Sequence, residues 1–171
     1  MPYSRVSAYL ERSTLVRVDL LLLLLAAPGL SCAGGGVGGA TPIPEVEFSP
    51  ELGIELDRMT RSSSGLYSMD LEVGMGEEAR TTRLVTVHYI GSFPDGEVFE
   101  SSLASGEPAS FTLGRQEVIP GWEEGIRGMR EGGRRKLVVP PRLAYGRRGL
   151  DDLIPGNAVL VFEVQLLRVE R

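Results

Sequence analysis

From Gly65 onward the chain sets apolar and polar residues in short alternating runs, the pattern of strands with two unlike faces. Met69, Leu71 and Val73 alternate with Ser68, Asp70 and Glu72. Residues 84–91 place Val85, Val87 and Tyr89 on one face and Thr86, His88 and Ile90 on the other, before Pro94, Asp95 and Gly96 turn the chain back. Residues 98–101 and 109–113 are two further short strands, separated by a polar link that contains Gly106 and Pro108. The period then changes. Trp122, Ile126 and Met129 recur at helical spacing, with Glu123 and Glu124 near the positive end of the predicted helix and Arg127 and Arg130 near its negative end, and Gly132-Gly133 closes it. Residues 137–139 form a strand stopped by Pro140-Pro141, and residues 159–169 form a long, largely apolar strand suited to the centre of a sheet. Between these two, residues 142–158 are long for a plain connection and carry Tyr145, Ile154 and Pro155, which marks a binding loop.

The part before Gly65 reads differently. Residues 20–27 are an unbroken apolar run with Arg5, Arg12 and Arg17 before it and Pro28, Gly29, Ser31 and Cys32 after it, the arrangement of a secretory signal. The run falls short of the ~20 apolar residues of a membrane-spanning helix. Cys32 directly after it is a candidate lipidation site, although Gly29 stands where an acylation motif usually has leucine; the alternative is a plain cleaved signal with an incidental cysteine. Gly34, Gly35, Gly36, Gly38 and Gly39 read as a flexible tether, and Pro42 and Pro44 stiffen its end. Leu52, Leu56 and Met59 allow one or two helical turns in the lead-in. The expected organisation is a signal over 1–32, a linker and lead-in over 33–64, and one folded domain over 65–171.

Composition narrows the chemistry. A chain of 171 residues with 42% hydrophobic and 24% charged residues is long enough for one good core. With a single cysteine, Cys32, and a single histidine, His88, a disulfide framework, a structural zinc site and a Ser-His-Asp triad are all implausible, and neither a metal nor a cofactor is expected. The formal charge is −5, and Arg134, Arg135 and Lys136 are its longest basic run, so no nucleic-acid partner is expected.

Several blocks, in order, carry a likeness: Val87-His88-Tyr89, Phe93-Pro94-Asp95-Gly96-Glu97-Val98-Phe99, Leu113-Gly114-Arg115-Gln116-Glu117-Val118-Ile119-Pro120-Gly121-Trp122, Ala144-Tyr145-Gly146 and Leu160-Val161-Phe162-Glu163-Val164. Together they resemble the FKBP-type peptidyl-prolyl cis-trans isomerases over residues 65–171. The resemblance implies an α+β fold, a twisted antiparallel β-sheet of about five strands wrapped around one short α-helix, with an apolar pocket between helix and sheet. It implies catalytic positions at Tyr89, Phe99, Glu100, Trp122, Tyr145 and Phe162. Trp122 would form the floor under a proline ring and Phe99 and Phe162 the walls. Substrate contacts are implied at Val118, Ile119, Phe111 and Ile154, with the backbone N–H of Ile119 and the hydroxyl of Tyr145 holding substrate carbonyls. The chain departs from the family pattern at Glu100, where many members have Asp, and at Ala109, where an aromatic is common, so that binding of macrolide inhibitors is in more doubt than catalysis.

Taken without those blocks, Trp122, Phe99, Phe111 and Phe162 would read as ordinary core aromatics. His88 would serve packing or a local hydrogen bond, and Glu123 and Glu124 would serve the helix start. The expected activity is isomerisation of X–Pro bonds in proline-containing segments of unfolded or exported proteins, in the periplasm or cell envelope, with membrane contact only through a lipid anchor at Cys32. The alternative is a non-catalytic peptide-binding chaperone module anchored at a membrane surface.

Overall fold

The computed structural model describes residues 42–170. Seven strands form one antiparallel sheet: β1 (Thr60–Arg61), β2 (Tyr67–Glu72), β3 (Leu84–Ser92), β4 (Val98–Ser101), β5 (Ala109–Thr112), β6 (Arg134–Val139) and β7 (Leu160–Glu170). They lie in the order β1-β2-β6-β7-β3-β4, and β5 also pairs with β3. The outer edge of β3 is therefore shared: Leu84 to Val87 face β5, and Ile90 to Ser92 face β4. A four-residue helical turn, α1 (Ser102–Ser105), follows β4, and the helix α2 (Pro120–Gly125) follows β5. Six of them follow strands that the sequence pattern names, and the two-residue β1 is the addition, against about five implied by the resemblance.

The fully apolar runs in β6 and β7 have a simple cause: both faces of the sheet are covered there. On one face Leu137, Val139, Leu160, Phe162, Val164 and Leu166 join Val85, Val87, Leu113, Trp122 and Ile126 in the main core. On the other, Val138, Val159 and Val161 meet Ile43, Met59 and Tyr67 in a second cluster. The cover on that second face is the lead-in itself. Its three 3-10 turns, Ile43–Glu45, Pro50–Leu52 and Leu56–Arg58, lay Val46, Phe48, Leu52, Ile54 and Leu56 against the sheet. From Ile43 onward, at 5% exposure, the chain is thus packed and not a free tether. Where this strap ends the same face turns charged, with Glu163 paired to Arg134 and Lys136.

The structure corrects two sequence-based expectations. The alternation of Met69, Leu71 and Val73 does not mark a buried face throughout: Met69 packs under the strap, whereas Leu71 and Val73 lie beyond its reach and are exposed. The helix begun by Trp122 does not run to Gly132-Gly133. It ends at Gly125 with Ile126 as its C-cap, because Gly128 takes a left-handed φ of 79° and turns the chain. Ile126 and Met129 still share the core, joined by a turn from Met129 N–H to the Ile126 carbonyl at 3.0 Å. The loop of residues 142–158 is ordered by a bridge between Leu150 and Ile154 and by Asn157 N–H donating to the Gly146 carbonyl. The apolar run at 20–27 and Cys32 lie outside the described residues.

Candidate active site

A cleft of about 460 Å³ opens between β3, α2, β7 and the 142–158 loop, lined by Tyr89, Glu100, Ala109, Glu117, Val118, Ile119, Trp122, Tyr145 and Phe162. Each wall comes from a different element. Tyr89 stands on β3 and Phe162 on β7, on the core-facing side that the period of two assigns them. Trp122 sits in the first turn of α2, just after Pro120 at the position where a proline suits a helix start. Val118 and Ile119 come from the turn before it, and Tyr145 from the loop.

The aromatic rings form one connected set. Trp122 meets Tyr89 edge-on at 4.8 Å and Phe162 edge-on at 5.3 Å, and Phe111 lies 5.8 Å from it. Phe99 meets Phe162 edge-on at 5.8 Å and Phe93 at 5.1 Å. These are the separations at which ring edges and faces attract. Trp122 is only 6% exposed, so the cleft floor is its buried ring, and its Nε1 has no hydrogen-bond partner among the described residues. Gly91 makes room for the set: a Cβ there would stand 2.6 Å from Phe99 Cζ and 3.0 Å from Phe162 Cε1.

Not every expected site residue reaches the cleft. Phe111, at 4% exposure, is buried in the core beside Trp122, and Phe99 backs Phe162 from the other side. Ile154 is not among the residues that line the cleft: at 2% exposure it lies in the core, and its backbone pairs with Leu150 to pin the loop. Glu117 lines the cleft although sequence reasoning gave it no role; its Oε2 accepts from Thr112 N–H at 2.8 Å. Its place directly before Val118 and Ile119 was the available signal. Glu123 accepts from Gly114 N–H at 2.6 Å and Gln116 N–H at 2.9 Å, fastening the turn that presents Val118 and Ile119. Glu124 instead holds the hydroxyl of Ser64.

The polar groups of the cleft are two phenols and the carboxylates Glu100 and Glu117. Burial, and then the neighbouring Glu100 carboxylate, pushes the Tyr89 hydroxyl well above its ordinary pKa. Burial and Glu100 raise that of Tyr145 as well. Both phenols are therefore protonated at neutral pH and able to donate. The Tyr145 hydroxyl and the Ile119 N–H make no hydrogen bond with any described residue, while the Ile119 carbonyl accepts from Trp122 N–H at 2.9 Å and Glu123 N–H at 3.2 Å. The arrangement is an apolar, aromatic trough with two unused donors at its lip. It can hold an extended peptide by its carbonyls and enclose a small apolar ring.

Known proteins share the sequence pattern and the fold. The family model described as FKBP-type peptidyl-prolyl cis-trans isomerase matches residues 76–167. An FK506-binding protein of Neisseria meningitidis serogroup B is 48% identical over 105 residues, covering 61% of this chain and 96% of that protein. The FKBP-type peptidyl-prolyl cis-trans isomerase FkpA of Escherichia coli is 44% identical over 124 residues, covering 72% of this chain and 43% of its own. The crystal structure of FkpA superposes with a TM-score of 0.62 at 45% identity, covering 66% of this chain and 52% of that one. AtFKBP13 superposes with a TM-score of 0.61 at 40% identity, covering 64% and 97%. A sheet closed over a short helix, a cleft floored by that helix's tryptophan and a family match across the whole of it lead to one assignment: the chain belongs to the FKBP-type peptidyl-prolyl cis-trans isomerases.

Proposed function

We propose that the cleft takes the proline of an extended peptide with its ring over Trp122, between Tyr89 and Phe162, and that Ile119 N–H and the Tyr145 hydroxyl hold the flanking carbonyls. The observation that carries this reading is the pair of unpartnered donors at the rim of an aromatic cleft. The chemistry asks for little more. Rotation about the X–Pro bond is slow because it interrupts amide resonance, with a barrier of about 18–20 kcal/mol, and no covalent bond has to break. A twisted amide has less charge separation than a planar one, so an apolar surround favours it, and about 1.36 kcal/mol of such preference gives tenfold in rate.

A protease-coupled assay on an X–Pro peptide tests the assignment. The protein accelerates isomerisation, and Tyr145→Phe lowers kcat/KM roughly two- to tenfold, the worth of one hydrogen bond. Its melting temperature stays the same, because that hydroxyl bonds to no described residue. An unaltered kcat/KM would remove Tyr145 from the mechanism, and binding of unfolded protein without acceleration would favour the chaperone module.

Export to the cell envelope, with proline-containing segments of exported proteins as substrates, belongs to the same proposal. It is supported by the basic residues, apolar run and small residues of positions 5–32. Anchoring rests on Cys32 alone. Mass spectrometry of the mature N-terminus decides it: an acylated Cys32 supports the anchor, and an unmodified N-terminus downstream of it excludes one.

A further inference from the structure

The outer edge of β3 has a gap at a cleft residue. β5 pairs with it as far as Val87 and β4 only from Ile90, so His88 and Tyr89 face no strand on that side. Between the two strands the chain leaves the sheet through α1 and the polar link that follows it. A backbone N–H and C=O left unpaired at such a place are costly, and the segment that carries them is free to shift. Here one hydroxyl takes the place of the missing strand. Ser102, 3% exposed, accepts from Tyr89 N–H at 2.7 Å and donates to the Tyr89 carbonyl at 3.2 Å. His88 Nδ1 stands 3.0 Å from the same oxygen. A serine hydroxyl has one donor and two acceptor sites, so all three contacts are satisfied together when His88 carries its proton on Nδ1.

We infer that Ser102 is a positioning residue for the isomerase, acting through Tyr89. By closing the gap it fixes the backbone at the residue whose ring stands edge-on to Trp122 and whose hydroxyl meets Glu100. The inference rests on the place given to Tyr89 in the cleft.

Ser102→Ala, compared with Ser110→Ala, tests it. Ser110 stands on β5, against the same edge of β3, and its exposed hydroxyl bonds Thr86 at 2.9 Å away from the cleft, so its loss serves as a control for a serine hydroxyl on that edge. With both variants assayed well below their melting transitions, Ser102→Ala loses about tenfold in kcat/KM and the hydrogen-exchange protection of the Tyr89 amide, whereas Ser110→Ala keeps both. A kcat/KM within twofold of the unsubstituted protein in a folded Ser102→Ala variant overturns the inference. Should that variant not fold, Ser102→Cys keeps the size with a weaker donor: an intermediate rate supports the role, and a full rate overturns it. Tyr89→Ala separates this inference from the assignment of the enzyme. If that variant isomerises as fast as the unsubstituted protein, Tyr89 has no part in the reaction and the role of Ser102 falls with it, while the activity itself stands.

Discussion

Trp122→Ala is expected to abolish measurable isomerisation and to lower stability by about 3–5 kcal/mol, the usual cost of truncating a buried large aromatic. Both losses have one origin. The indole is the floor of the cleft and also the hub of the ring set, with Tyr89, Phe111 and Phe162 all within 5.8 Å of it. Removing it leaves a cavity between β3, β7 and α2 and withdraws the support that holds Tyr89 upright. In a domain whose whole stability is about 5–15 kcal/mol, such a loss brings the melting transition down by roughly 10–20 °C. Calorimetry together with kcat/KM measures the two effects, and Trp122→Leu separates them. Leucine restores apolar volume and recovers part of the stability but gives no flat surface for a proline ring, so the rate stays low. A Trp122→Leu variant of full activity would show that the cleft needs only an apolar floor.

Gly91→Ala is the second large effect, and it reaches the cleft from behind. The added methyl would stand 2.6 Å from Phe99 Cζ, 2.8 Å from Phe99 Cε2 and 3.0 Å from Phe162 Cε1. Overpacking of this kind costs about 1–3 kcal/mol. Phe99 is half-buried and able to swing outward; Phe162, on the central strand β7, is buried and held. Relief therefore comes first from Phe99, whose edge supports Phe162 at the cleft wall. We expect roughly a tenfold fall in kcat/KM with a modest fall in melting temperature. Equal kcat/KM for Gly91→Ala and the unsubstituted chain would mean that Phe99 does not support the wall.

How far the site was legible depends on which interactions leave a periodic trace. The strand carrying Tyr89 shows in the alternation of its residues and the strand carrying Phe162 in its long apolar run, and the tryptophan at the start of α2 shows in the proline and apolar residues before it. The family blocks then bring Val118, Ile119, Trp122 and Tyr145 to one cleft. The place of Ile154 was not legible, because an apolar residue in a long loop has the same appearance whether it meets a ligand or pins the loop to the core; the structure sets it in the core and outside the cleft lining. The end of α2 was hidden for a similar reason. Ile126 and Met129 are both core residues, so their spacing imitates a longer helix, while Gly128 between them breaks it. The strap of residues 42–58 was legible only in part: Leu52, Leu56 and Met59 allowed helical turns, which are 3-10 turns in the structure, but Ile43, Val46 and Phe48 follow no single period that would show the segment lying against the outer face of the sheet. Ser102 leaves no pattern at all, since its importance comes from a gap between two strands.

Ile119 shows how cheaply a recognition element can be made ready. Proline at the next position disfavours the helical backbone for the residue before it, and Ile119 has φ −57° and ψ 146°, the extended conformation that proline imposes. Its carbonyl is committed to the start of α2, while its N–H bonds to no described residue and is free for the role proposed for it. The restriction applies in the unfolded chain as well, so little of the entropy of fixing this residue falls on folding, and less still on binding. An enzyme for bonds to proline thus aims its own donor with an Ile-Pro bond that is trans in the folded protein.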